Sequence, residues 1–442
     1  QPWNFVGFAF TYQSTQDLTQ LEPFATPVLG IVGSDETTLE FAVNLGPDRA
    51  QLDPTGRLLA IDTGTLVANV GTASIVDTGT NPSGGAALIW GRWEGPGSTI
   101  AQTLPNGTVV RLPGSPPRTL IRGESADTAI VGGRVTMDDR AWVFLENVTV
   151  QGEIRLRGAS NMVVRDCKIR TTGNGINIQI SDDIPRNNYI VDNDVLGGAT
   201  WTDDQLGADG YNGGEGIQLT GSGHVVCWNH VKGFRDNISH MEYDEAFEQV
   251  SNDICNNDLE EATDDGIEAD SAMGNVRVMR NRIRNSFIGC SSQPRLGGPT
   301  YYIRHVMYNV IYSPFKFHNG TIGDVVFHNT VVKCGDGWGC YAGKTWSRAF
   351  VRNNLFIGGA GSGTYGGYGN GSGRVLDLGD ADATCSFDYD GLGAIDTGKF
   401  EGKIGSTRFT SLATMQANTT EVHGVAVDMS IFASQPAFPS NP

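Results

Sequence analysis

Apolar positions in the middle of the chain recur in a fixed frame around an asparagine. Asn193, Asn229, Asn257, Asn281, Asn309, Asn329 and Asn354 follow one another at intervals of 36, 28, 24, 28, 20 and 25 residues. An apolar residue stands three positions before each (Ile190, Val226, Ile254, Val278, Val306, Val326, Val351), and another two after each (Val195, Val231, Leu259, Ile283, Ile311, Val331, Phe356). Such units are too short to bury a core alone, so they must stack. β-Branched columns of irregular period favour a parallel β-helix over a helical solenoid. Asparagine suits a coil corner because it tolerates left-handed backbone and its amide can bond to the same amide one coil above and below. The frame extends backwards, more weakly, through Asn147 in FLENVTV and Cys167 in VVRDCKI. The repeat predicts an all-β chain of about nine coils from Thr119 to Phe356, or about ten with the strand-like VLDLGD.

Three segments follow from where the frame holds. Residues 1–118 lack it and alternate as short strands (TTLEFAVNL, RLLAIDT, ALIWGRWEG) between Gly/Pro turns, which predicts a β-rich N-terminal cap over the open end of the stack. Residues 119–380 form the solenoid, and residues 381–442 a capping tail. Within the tail, TRFTSLATMQANT is the best helix candidate of the chain, since Ser/Thr precede an apolar-periodic run.

Composition narrows the functional classes. A net charge of −18 argues against nucleic acid or an anionic membrane as partner, and no apolar run is long enough to insert in a bilayer. The chain starts at Gln1 without an initiator Met, which fits a processed, secreted product or a trimmed one. The seven cysteines follow no metal-binding spacing. Cys227 and Cys255 share one column of adjacent coils, within disulfide reach or as buried thiols, and Cys334 with Cys340 could close the GDGWG loop.

Strand alternation predicts which side chains face outward. The segments GINIQ, GIQLT, NISHM, GIEAD, GCSSQ, PFKFH and GCYAG align, with the second residue pointing in and the third and fifth out. One outward column is then Asn177, Gln218, Ser239, Glu268, Ser291, Lys316 and Tyr341; the other is Gln179, Thr220, Met241, Asp270, Gln293, His318 and Gly343. Asp236, Asp264 and Asp265 add carboxylates to the same edge, and the insertions YDEAFEQ and QPRLGGP, the latter with Arg295, could wall a groove. Glu268 and Asp270, two apart on one strand, should lie about 6.6 Å apart, near the separation of an acid and base in an inverting glycosidase. Lys316 and His318 lie two coils further on, roughly 10 Å away. Asp264, Asp265, Glu268 and Asp270 crowd together in TDDGIEAD and would repel one another unless protons, basic partners or a calcium ion offset them. Trp201, Tyr211 and Trp338, in apparent loops, could stack on sugars, whereas Arg304 and His305 read as structural.

The coils resemble the right-handed parallel β-helix superfamily of secreted carbohydrate-active proteins, which includes polysaccharide lyases and polygalacturonase-like hydrolases. The resemblance runs through DDGIEAD, GCSSQPRLGGPTYYIRHVMYNV, SPFKFHNGTIGDVVFHNTVV and the tail from FDYDGLG, and covers over half of the chain. It implies the fold and a polysaccharide partner and no single activity. Thr263-Asp264-Asp265 is similar to a piece of the polygalacturonase aspartate pattern, without the Gly-His-Gly or Arg-Ile-Lys that accompany it there. Three functions follow as expectations. The first is a glycoside hydrolase with Glu268, Asp270 and Asp265 as acid and base, needing no cofactor. The second is a calcium-assisted polysaccharide lyase with Lys316 or His318 as base. The third is a non-catalytic glycan-binding protein, adhesin, tailspike or filament subunit. Gln218, Gln293, Arg295, Trp338 and Tyr341 are the candidate substrate contacts.

Overall fold

The computed structural model describes residues 119–434 except 208–212, 241–248, 294–298, 318, 341–343, 360–362 and 396–399; before residue 119 it describes only the backbone of short strands. The chain divides into two compact units, Gln1–Arg155 with Ala159–Arg170, and Leu156–Gly158 with Thr171–Pro442. In the first, Thr119–Gly123, Val143–Glu146 and Val163–Arg165 stack in parallel, as do Ile130–Val131, Thr149–Val150 and Lys168–Arg170. Leu145, Val150, Val164 and Ile169 fill the space between them. Ile89–Trp93 runs antiparallel to Thr119–Gly123. The expected cap over residues 1–118 otherwise lies outside the described residues.

The second unit is a parallel β-helix with three strand faces. On the first face Tyr189–Val191, Val225–Cys227, Asp253–Cys255, Val276–Met279, Thr300–Ile303, Val325–Phe327, Phe350–Arg352 and Ser386–Asp388 pair in parallel from coil to coil. The second face passes from Asp194–Leu196 and His230–Lys232 into the leading halves of three long strands, Asp258–Glu268, Arg282–Ser292 and Val306–Phe317. The third, which carries the candidate site, comprises Ile176–Asn177, Glu215–Leu219, Asp236–His240 and the trailing halves of those same three strands. Trp338–Cys340, Leu376–Leu378 and Gly402–Ile404 form a further parallel set. Parallel pairing continues beyond residue 380 as far as Val425–Val427, and the helix Leu412–Asn418 lies in the segment read as helical. Among the described residues no helix is long and apolar enough to cross a membrane.

Inward columns are what the coils bury. Ile176, Ile217, Ile238, Ile267, Cys290 and Phe315 stand in register on the third face and are fully buried. The glycine preceding this column has a steric reason. A Cβ on Gly266 would come within 2.8 Å of the Gly289 carbonyl oxygen and of Ile283, so the coils could not approach at strand spacing.

The asparagine ladder is present, with one rung corrected. Asn193, Asn229, Asn257 and Asn281 bond in sequence, each side-chain oxygen accepting the previous rung's backbone N–H. The next rung is His305, whose Nδ1 faces the Asn281 N–H and whose own N–H donates to Asn329 Oδ1. Asn329, Asn354 and Asp390 follow, and Glu421 Oε1 accepts the Asp390 N–H in turn. Asn309, assigned to the ladder from sequence, instead lies at a separate bend, where its amide donates to Asn285 Oδ1. The left-handed residue is also not the ladder asparagine. It is the residue before it: Asp192, Trp228, Asn256, Arg280, Arg304, His328, Asn353 and Tyr389 all have φ between 55° and 65°. The ladder side chain is thereby freed to point inward and bond along the stack. Cys227 and Cys255, in register, form a disulfide. The Cys340 side chain lies outside the described residues.

Candidate functional site

On the third face the strand register is Asn177, Gln218, Ser239, Glu268, Ser291, Lys316, the same column that alignment of the segments gives as far as Lys316. Three positions earlier along the strands, Glu215 stands opposite Asp236, and the irregularity between Ala262 and Asp265 brings Asp264 and Asp265 beside them. Their approach is fixed by the backbone: the Asp264 N–H donates to the Arg235 carbonyl, and the Asp265 N–H donates to Asp236 Oδ1 at 2.7 Å. The Thr263 carbonyl accepts the Gly207 N–H, so the strand irregularity is tied to the loop before it.

Two groups of carboxylates result, sharing Asp236. Oxygens of Glu215, Asp236 and Glu268 lie within 4.8 Å of one another, and so do oxygens of Asp236, Asp264 and Asp265. Asp236 and Asp265 are fully buried, Asp264 nearly so, and Glu215 and Glu268 are partly exposed. Asp236 Oδ2, Asp265 Oδ1 and Glu215 Oε2 are buried without a hydrogen-bond partner. Arg235 offsets part of the charge, at 3.6 Å from Asp236 and 3.5 Å from Asp264. Lys316 Nζ donates to Asp265 Oδ2 at 2.7 Å.

Burial sets the protonation of these groups. It raises Asp236 and Glu268 well above the ordinary carboxylate range, with neighbouring carboxylates adding to the shift, and it raises Glu215 against the pull of Ser239 and Arg235. Asp265 is pushed up to about 7 by burial, although Lys316 pulls the other way. Burial would lower Lys316, but the surrounding Asp265, Asp270, Asp264 and Glu268 outweigh it and hold the ammonium charged. Unscreened buried oxygens of this kind call for protons or a cation. Calcium binds six to eight oxygens at about 2.3–2.6 Å, so ligand oxygens around one ion stand within roughly 5 Å of each other. The spacing and the orphaned oxygens of Asp236 and Asp265 fit such an ion.

Asp270 is in neither carboxylate group. It was expected on the exterior and is instead fully buried, accepting from Ser291 Oγ at 2.8 Å and from the Gln293 amide. Gln293 is thereby engaged with Asp270, while Gln218 stays partly exposed in the column and accepts from Gln179. Trp338 was expected to stack on a sugar. It is a fully buried core residue on an inward strand position, packed against Phe315 and Phe356, and its indole N–H donates to the Phe315 carbonyl. A ring with no exposed face cannot serve a ligand. His318, Arg295 and Tyr341 lie outside the described residues. Glu215 was missed by the sequence reading, and Asp236 was noted only as a flanking charge. No family model matches the chain, and no curated protein matches it.

Proposed function

We propose that this protein is a secreted polysaccharide lyase, cation-assisted, which cleaves a uronate-containing glycan at the acid cluster. The observation that carries the reading is two carboxylate groups, each with oxygens within 4.8 Å and sharing Asp236, next to the partly buried Lys316. Glu215, Asp236, Asp264, Asp265 and Glu268 would hold a divalent ion. Bound there, the ion would neutralise the sugar's carboxylate and make its C5 proton more acidic. The acidic chain needs such a counterion before it can accept an anionic glycan.

Lys316 is assigned as the base and Asp265 as the group that controls it. While Asp265 pairs with Lys316 the ammonium keeps its proton; a ligand that engages Asp265 would let the ammonium pass that proton to water, leaving a neutral amine. The amine then takes the C5 proton, the electron pair forms the C4–C5 double bond, and the C4–O4 bond breaks with its oxygen protonated by water. Arg235, partly exposed beside Asp236 and Asp264, is positioned to orient an anionic group. The Cys227–Cys255 disulfide supports export to an oxidising compartment.

A glycoside hydrolase remains the second reading, because Glu268 is held protonated and could act as a general acid. Its weakness is spacing: the carboxylates that share a group with Glu268, Glu215 and Asp236, are closer than the roughly 6.5–9.5 Å that an inverting pair needs to admit water. The test is a panel of neutral and uronic polysaccharides with and without calcium, following reducing ends and the ultraviolet absorbance of unsaturated products. Both signals, calcium-dependent and lost in Lys316→Ala, support the lyase. Reducing ends without absorbance would replace it with the hydrolase, and silence on every glycan would refute both.

A further inference from the structure

A cavity of about 350 Å³ opens near strands Trp338–Cys340, Leu376–Leu378 and Gly402–Ile404. Its polar lining comprises Tyr312, Asp336, Asn370, Asp377, Asp380 and Lys403. Gly339, Asp377 and Lys403 stand in register across its floor. Trp338 donates to the Phe315 carbonyl and Ser313 Oγ to the Gly339 carbonyl, so this floor begins one coil beyond Lys316.

The cavity is built rather than incidental. Asp336 is almost fully buried, and its Oδ1 accepts the backbone N–H groups of Ser372 and Arg374 at 3.0 and 2.8 Å. The fully buried Lys333 donates to the Asp336 and Tyr312 carbonyls at 2.8 and 3.0 Å, locking two wall residues together. Phe287 stacks on Tyr312 with centroids 5.4 Å apart. Space is kept open by glycine: a side chain at Gly371 would collide with the Asp336 carboxylate, and a Cβ at Gly379 would sit 2.8 Å from Lys403 Nζ. Asn370, only 3% exposed, lines this space with a side-chain oxygen that has no hydrogen-bond partner. A buried unpaired amide costs stability unless something binds it.

We infer that this cavity is a subsite for a neutral sugar residue of the glycan cleaved at the acid cluster. The inference rests on the proposed polysaccharide substrate and narrows it to a heteropolysaccharide in which a neutral sugar accompanies the uronate. The volume lies within the range of about 300–1,000 Å³ typical of small-ligand sites. Asp336, Asp377, Asp380 and the Asn370 carbonyl accept from hydroxyls, Lys403 donates, and the glycine-lined walls let a ring approach the backbone. Arg374 is engaged by Asp377 at 2.6 Å and Lys333 by two carbonyls, which leaves Lys403 as the cation lining the cavity against Asp336 and Asp380 and disfavours a uronate here, unlike at the cation-assisted site.

The test is calorimetric titration of the full chain with cellobiose, xylobiose, lactose and digalacturonate, repeated on Lys403→Ala, Asn370→Ala and Asp236→Asn. Lys403 is partly exposed and makes no ion pair among the described residues, so its loss breaks no charge pair there, and the circular dichroism spectrum of the variant checks the fold. The expected result is saturable binding of at least one neutral disaccharide, weakened about tenfold in Lys403→Ala and in Asn370→Ala, and unchanged in Asp236→Asn. Binding of no neutral sugar, equal binding in wild type and Lys403→Ala, or digalacturonate binding that Lys403→Ala abolishes would each overturn the subsite. Neutral-sugar binding without unsaturated products from any glycan would sustain the cavity and reject the lyase; the reverse pattern would do the opposite.

Discussion

Replacing Asn257 by alanine should cost a large part of the stability of the second unit, and replacing Asn309 should not. Asn257 Oδ1 accepts the Asn229 backbone N–H at 2.9 Å and the Asn229 amide at 3.0 Å. Its own amide donates to the Val226 carbonyl and to Asn281 Oδ1, both at 2.9 Å. Alanine leaves the buried Asn229 N–H unpaired, about 1–3 kcal/mol, and removes two donated bonds of about 1 kcal/mol each, on the order of 3–5 kcal/mol together. That is comparable with a typical folding margin of about 5–15 kcal/mol. Asn309 donates one bond, to Asn285, and its side-chain oxygen is unpaired. Asn309→Gly keeps the left-handed backbone accessible, so about 1 kcal/mol should be lost. Urea unfolding followed by circular dichroism and tryptophan fluorescence would give both midpoints. Equal losses, or an Asn257→Ala loss under about 1 kcal/mol, would refute the assignment of the ladder.

Two further outcomes follow from buried groups. Asp390 continues the ladder, and its N–H donates to Glu421 Oε1 at 3.0 Å. Burial, with the nearby Asp390 and Asp388 carboxylates, raises Glu421 to about 9, and Asp390 itself is raised to about 6. Folded values above the unfolded ones mean that this stabilisation is complete below about pH 4 and is lost as pH rises through about 9. The melting temperature of Glu421→Gln should therefore fall less than that of wild type between pH 6 and pH 9, and parallel curves would contradict this. Cys227→Ser opens a disulfide with a sequence separation of 28 residues. Under non-reducing conditions it should lose about 3 kcal/mol of stability by urea denaturation, and a midpoint equal to that of wild type would rule the cross-link out.

The fold was legible because its signal is collective. A stack repeats one demand at every coil, and β-branched residues met it at Ile190, Val226, Ile254 and Val278 whatever the loops between them did. The errors have local causes. His305 presents a ring nitrogen where its neighbours present an amide oxygen, so a pattern written for asparagine stepped over it to Asn309. The even interval of 24 residues from Asn257 to Asn281, to His305 and to Asn329 was the available clue. Trp338 sits among glycines and reads as loop, but the strand it begins runs under Phe315, and only coil stacking reveals that. Glu215 escaped, and Asp236 stayed a flanking charge, because the aligned segments started one residue late: extended by one, they place Glu215, Asp236 and Asp265 in a common column. Asp270 obeys strand alternation and is still buried, because Ser291 and Gln293 of the next coil close over it. Alternation tells inside from outside the coil; it carries no information about what covers the outside.

What neutralises the acid cluster is measured most directly by calcium binding. Calorimetric titration of calcium into the chelator-treated protein, at low ionic strength and neutral pH, should show one saturable site. Asp236→Asn, which removes the carboxylate shared by both groups, should weaken it at least about tenfold while the circular dichroism spectrum is retained. No calcium binding, or binding of the same strength in Asp236→Asn, would contradict the cation-assisted site.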